Sequence, residues 1–179
     1  MNINYEEVNI MNAIFNRRSI RKFENRFVEK EKIEKLLRAA MQAPSAGNQQ
    51  PWEFIVIENK ETLKKLADMS PYSKLVASAP LAIIALADET RMRIPSAWQQ
   101  DMGASVENLL LEAVELELGA VWLGVSVVEE NMKYISQLFN LPENIKPYAL
   151  MAVGYPAESQ KNSYVDRFDE KKVHYETWV

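Results

Sequence analysis

The chain contains no cysteine, one histidine and only five glycines among 179 residues, and each shortage removes a class of chemistry. Without cysteine there can be no disulfide framework, no thiolate nucleophile and no zinc site built on thiolates. A Ser-His-Asp triad or a multi-histidine metal site would have to be assembled around His174 alone, close to the C-terminus, so both are disfavoured. None of the glycines falls in a G-x-G-x-x-G or phosphate-loop pattern, which argues against a Rossmann dinucleotide site and against nucleotide hydrolysis. The longest wholly apolar run, Pro80 to Ala87, is too short to span a bilayer. A formal net charge of -4 gives no broad electrostatic footprint for nucleic acid or an anionic membrane. The segment Met1 to Glu7 lacks the basic flank and apolar stretch of a secretory signal, so the expected location is cytoplasmic.

What is present fits one compact domain over residues 1–179, since a chain of this length and 47% hydrophobic content can bury about 70% of its unfolded surface. Ile33, Leu36, Leu37, Ala40 and Met41 recur at helical spacing, which predicts a helix from Glu29 to Gln42 stopped by Pro44. Further helices are expected over Glu61 to Met69, Gln99 to Leu118 and Glu129 to Phe139, with Val106, Leu109, Leu110, Ala113 and Val114 on one face of the longest. Strands are expected at Trp52 to Ile57, Leu81 to Ala87, Val121 to Val127 and Tyr148 to Val153. From Tyr155 onward the pattern fades into an arm, residues 155–179, whose Phe168, Tyr175 and Trp178 need a surface to dry them; a second subunit is a natural candidate.

Against this acidic background, Arg17-Arg18-Ser19-Ile20-Arg21 packs three guanidinium groups and a hydroxyl into five residues. Arginine offers a rigid fork of donors that matches phosphate, and serine adds a short donor beside it. The bland alternative is a solvated basic helix end, because Val8, Met11 and Phe15 just upstream also recur at helical spacing. A second distinctive stretch, Pro44-Ser45-Ala46-Gly47-Asn48-Gln49-Gln50-Pro51, joins a helix to a strand, with small residues between two prolines that would let a flat ligand approach the backbone. Taken alone it also reads as an ordinary turn-rich connection. If the chain is an enzyme, the single histidine, the absence of cysteine and the absence of nucleotide-binding glycine motifs assign the difficult chemistry to a bound organic cofactor whose phosphate occupies the arginines.

In order, Arg17 to Phe23, the Pro44 to Trp52 loop, Trp98 to Gly124, Met151 to Glu158 and Arg167 to Trp178 resemble the FMN-dependent nitroreductase and flavin-reductase family over nearly the whole chain. The resemblance implies an α+β fold with a central mixed, mainly antiparallel sheet flanked by helices. It also implies an interlocked homodimer with flavin pockets at the interface and a C-terminal arm reaching the partner. Arg17, Arg18, Ser19 and Arg21 match the segment that holds the FMN phosphate and ribityl chain, and Arg167 matches a C-terminal arginine on the same phosphate. Pro44, Ser45, Ala46 and Asn48 match the loop that reaches the flavin from the partner subunit. Trp122, Leu123 and Gly124 match the strand end whose backbone lies against the reactive ring, where an amide near flavin N5 would stabilise reduced flavin.

Two departures stand out. Relatives often carry two serines where this chain has Ser45-Ala46, and Gly-Leu-Gly where it has Glu117-Leu118-Gly119, a change expected to alter a helix end rather than the cofactor site. The segment from Asp88 to Trp98, expected near the pocket mouth, matches nothing assignable, and Trp98 itself is expected in the core or an interface, with a pocket wall as the alternative. The activity implied is hydride transfer from NADPH or NADH through flavin N5 to a small-molecule acceptor such as a nitroaromatic or quinone, by a ping-pong mechanism. No side chain need then donate a proton, no metal is needed, and His174 is a packing or tail residue. Other readings are a specialised flavin or enone reductase or a reductive dehalogenase on the same scaffold, a non-catalytic flavin-binding protein, and a purely structural dimerisation module.

Overall fold

A computed structural model describes residues 12–178 of the chain. Val8 and Met11, part of the helical pattern ahead of the arginines, lie outside the described residues. The described residues form five α-helices, α1 (Asn12–Asn16), α2 (Lys30–Met41), α3 (Lys60–Leu66), α4 (Trp98–Glu115) and α5 (Glu129–Phe139), and four strands, β1 (Trp52–Ile57), β2 (Leu81–Asp88), β3 (Gly119–Gly124) and β4 (Ile145–Gly154). The strands form one sheet in the order β1-β2-β4-β3, antiparallel at every pairing. A parallel element enters through an isolated bridge between Ser19 and Ala120. The architecture is the α+β arrangement expected, with the arginine segment attached to the β3 edge.

The two central strands read as unbroken apolar runs because both of their faces are covered. Leu81, Ile83, Ala85, Met151 and Val153 pack under α2 and α4 with Leu36, Ala40, Met102, Val106 and Leu109. Ala82, Ile84, Leu86, Leu150 and Ala152 pack on the opposite face with Leu63, Leu66, Val76 and Ile135. Alternation by two in the strands, combined with the helical period in α2 and α4, closes both layers without a polar residue in the middle of the sheet.

Several element ends differ from expectation: α3 ends at Leu66 rather than Met69, β4 begins at Ile145 rather than Tyr148 and β3 begins at Gly119 rather than Val121, and two further ends differ for identifiable reasons. Helix α4 stops at Glu115 rather than Leu118: the Leu118 N–H bonds to Ala113 O at 2.7 Å and the Glu117 N–H to Val114 O at 3.0 Å, with Glu117 left-handed at φ 60°. This is a helix terminus that usually takes glycine at the left-handed position. Glu117 therefore carries a backbone penalty, and Glu117→Gly is expected to raise stability by about 1 kcal/mol in chemical denaturation. Strand β3 ends at Gly124 rather than Val127, because a register shift beside Pro147 turns Tyr148 out of step and its carbonyl accepts from both Val125 N and Ser126 N. The chain thereby leaves the ladder one residue after Gly124.

At the other end of β4, Tyr155 Oη–H donates to Glu29 Oε2 at 2.7 Å while Arg26 Nη2 donates to Oε1 at 3.0 Å and lies over the Tyr155 ring. The tyrosine bond chiefly, then the residue's own backbone N–H and Arg26, lower the Glu29 carboxyl from 4.5 to about 2. A depressed folded-state value means that the contribution is fully present above pH 4.5 and disappears as pH falls toward 2. Accordingly, the stability difference between the wild type and Tyr155→Phe should shrink across that acid window, as followed by urea midpoints at stepped pH.

Candidate functional site

Helix α1 delivers the arginine segment to the sheet edge, where Ile20 N–H bonds to Ala120 O at 3.0 Å and the Ile20 side chain is buried over Gly119. The segment is held from its other side by the start of the C-terminal arm. Asn162 Oδ1 accepts from Arg18 N at 3.2 Å while its Nδ2 reaches Leu118 O at 2.9 Å, and Gln160 Oε1 accepts from Arg21 N at 2.6 Å and Lys22 N at 3.1 Å. Neither anchor, Gln160 nor Asn162, is marked by any motif in the sequence of the arm. The only available signal was two amide side chains in an otherwise unpatterned run.

Arg17, Arg18 and Arg167 converge on a cleft of about 420 Å³ whose walls also include Ile14, Tyr164 and the acidic Asp166. Arg17 Nε contacts Glu107 Oε1 at 3.3 Å. Arg18 Nη1 donates to Arg17 O at 2.5 Å, yet its Nε and Nη2 are enclosed by protein and have no hydrogen-bond partner among the described residues. Burial first, then the charges of Arg167 and Arg17, pull the Arg18 guanidinium below its ordinary value. Enclosed guanidinium donors left without an acceptor, beside two further cations, are costly unless an anion completes them. A phosphate, with several charged acceptor oxygens, fits that donor set.

Arg21 parts from the other arginines. It lines a second, largely apolar cleft of about 670 Å³ with Trp122, Leu123, Gly124, Tyr72 and Val127, and its Nη1 donates to Ser19 O at 3.2 Å. Strand β3 is an edge strand, and Ala120 directs its carbonyl away from β4 to Ile20. By the two-residue period, the backbone groups of Trp122 and Gly124 face the same outward way. Gly124 O accepts from Asn131 Nδ2 at 3.4 Å. An unpaired edge of this kind offers amide donors to whatever lies against it.

Pro44, Ser45, Ala46 and Asn48 line neither cleft of their own chain. The loop is instead tied to the segment after β2. Gln49 and Asp101 are buried; Asp101 Oδ1 accepts from Ala46 N at 2.8 Å, Gln49 Nε2 donates to Asp101 Oδ2 at 2.5 Å, and Ile94 N donates to Gln49 Oε1 at 2.9 Å. Arg93 Nη2 adds a bond to Gly47 O at 2.9 Å. The 88–98 segment, unassignable from sequence, forms two short turns, Glu89–Arg91 and Pro95–Ala97, and Arg93 and Ile94 between them brace this loop. Trp98 packs edge-on to Tyr148 against the core, and His174 stacks on Trp178 in the arm. Phe168, Tyr175 and Trp178 are 77%, 80% and 86% exposed. Among the described residues no group of three or more His, Cys, Asp or Glu is arranged to hold a metal, and no helix is long and apolar enough to cross a membrane.

Comparison with known proteins agrees with this layout. The model of the nitroreductase family matches residues 14–92 and 69–155. A protein of Methanothermobacter thermautotrophicus, provisionally named an NADH dehydrogenase/NAD(P)H nitroreductase, is 42% identical over 172 residues, covering 96% of this chain and 89% of that one. Among solved structures, a provisionally named NADH oxidase from Clostridium acetobutylicum superposes with a TM-score of 0.91 at 57% identity, covering 93% of this chain and 99% of that one. A provisionally named nitroreductase from Desulfovibrio desulfuricans in complex with FMN superposes with a TM-score of 0.81 at 32% identity, over 97% and 99% of the two chains. The chain belongs to the nitroreductase family.

Proposed function

We propose that this chain is an FMN-dependent NAD(P)H oxidoreductase that works as a homodimer. The observation that carries the reading is Arg18, whose enclosed Nε and Nη2 lack an acceptor while Arg17 and Arg167 converge on the same cleft. These three arginines hold the FMN phosphate, and Ser19 and Arg21 lead from it along the ribityl chain toward the second cleft. The outward amides of Trp122 and Gly124 donate toward the flavin ring. The chemistry that FMN supplies when bound is two-electron transfer between NAD(P)H and a small-molecule acceptor such as a nitroaromatic or a quinone.

The remaining tasks belong to the protein: binding, orientation and dry walls around the reacting atoms. Tyr72, Val127 and Leu123 supply apolar wall in the second cleft. Pro44, Ser45, Ala46 and Asn48 serve the cleft of a second copy, which accounts for a braced loop whose residues line neither cleft of their own chain. The exposed aromatics of the arm give that second copy an apolar surface to cover. The test is the visible spectrum of purified protein with FMN supplied, followed by NADPH or NADH under nitrogen and then a quinone. Bleaching by NAD(P)H and recovery with the acceptor is the expected result. Bound flavin that never bleaches would make the protein a flavin carrier, and no bound flavin would remove the reading.

A further inference from the structure

We infer that Asp101, in the first turn of α4, is a positioning residue that sets the shape of the Pro44 to Pro51 loop and through it the presentation of Ser45, Ala46 and Asn48 to the flavin site of a second copy. The inference rests on the proposed function for its last step only; the hold on the loop stands on the geometry alone.

The loop needs a hold because its backbone is unfavourable. Gly47, Asn48 and Gln50 all sit in the left-handed region, at φ 56°, 52° and 46°, and only the first is glycine. Such conformations persist where surrounding contacts dictate them. The contacts run from Ile94 through Gln49 to Asp101, with Gln49 Nε2 also donating to Ile94 O at 3.3 Å. Ile94 N can only donate, so Gln49 must face it with its carbonyl oxygen; the amide nitrogen of Gln49 then faces Asp101, whose carboxylate accepts that bond and the one from Ala46 N. Gln49 and Asp101 are 5% and 4% exposed, so water cannot easily replace a lost partner. Ser45 Oγ accepts from Gln50 N at 3.0 Å, which spans the loop and turns the exposed Asn48 outward between two fixed points.

The arrangement makes a chemical prediction beyond general stability. In Asp101→Asn the new amide nitrogen opposes a donor, either Ala46 N or Gln49 Nε2. In the double variant Asp101→Asn/Gln49→Glu, donor and acceptor are exchanged between the two positions: the carboxylate at 49 accepts from both Ile94 N and the amide at 101, and the amide oxygen accepts from Ala46 N, while the long bond from Gln49 Nε2 to Ile94 O is lost.

Three readouts decide it: hydrogen exchange of residues 43–51 in protein without FMN, FMN dissociation constant by absorbance titration, and kcat against KM for NAD(P)H at saturating FMN. Asp101→Asn should speed exchange within 43–51 while the β2 and β4 amides stay protected, weaken FMN binding about tenfold, and lower kcat more than it raises KM. The double variant should recover part of all three, the remainder reflecting the lost bond to Ile94 O. Unchanged exchange in Asp101→Asn, or a double variant worse than the sum of its parts, overturns the inference. If the wild type itself fails to bind FMN, the proposed function falls and with it the delivery step, while the exchange data still decide whether Asp101 holds the loop.

Discussion

Replacing Arg18 by methionine should weaken FMN binding about a hundredfold while leaving riboflavin binding nearly unchanged, since the charge-assisted bonds lost are those to a phosphate that riboflavin lacks. Methionine keeps much of the aliphatic stem, so packing is preserved as the charge is removed. The flavin-free protein should lose no thermal stability, because Arg18 is a half-buried cation repelled by Arg17 and Arg167, with two enclosed donors unused. The combination of weaker FMN, unchanged riboflavin and retained melting temperature separates a binding role from a structural one. Equal affinity for FMN in the variant would remove the phosphate assignment. Arg17→Ala should have a smaller effect, because Glu107 already draws on that guanidinium.

The second large effect is expected at Gly119. A Cβ there would lie 2.6 Å from both Cβ and Cγ1 of Ile20 and 2.7 Å from its Cγ2, well inside contact distance. Ile20 cannot move aside easily: it is 2% exposed and its backbone bonds to Ala120. Gly119→Ala should therefore cost about 3 kcal/mol in urea unfolding, at the upper end of overpacking penalties. It should also weaken FMN binding, because the strain lifts the segment that carries Arg17, Arg18 and Ser19 from the sheet edge. Ile20→Ala in the same background should recover part of the loss, giving a favourable coupling between the two positions. Additive losses would show that the clash is relieved elsewhere.

Much of the scaffold was readable in advance. Trp52 to Ile57 and Glu129 to Phe139 were placed to the residue, because a buried apolar run bounded by Pro51 and a clean helical stripe are both local signals. The ends of α4 and β3 were misplaced by three residues each, since Leu118 and Val125 are apolar and buried whether or not their backbones belong to an element. The arginine segment stood out in composition and spacing as a candidate anion site, with a solvated helix end as the alternative. That Arg18 is the member with enclosed, unpartnered donors, and that Arg21 turns to a different cleft, was not. Both depend on the fold of the 157–165 segment back across residues 16–22.

The sequence by itself determined the helix and strand periods, the exclusion of thiol and multi-histidine chemistry, and a local excess of guanidinium groups on an acidic chain. These are properties of residue type and short-range spacing, and they need no knowledge of what lies opposite. The tertiary structure alone decided which of those groups meet. Gly119 admits Ile20 from 99 positions earlier in the chain, and Asp101 stabilises a loop more than fifty residues before it. Such pairings are set by how closely two backbones can approach and by which buried donor has no other acceptor, quantities that exist only once the chain is folded.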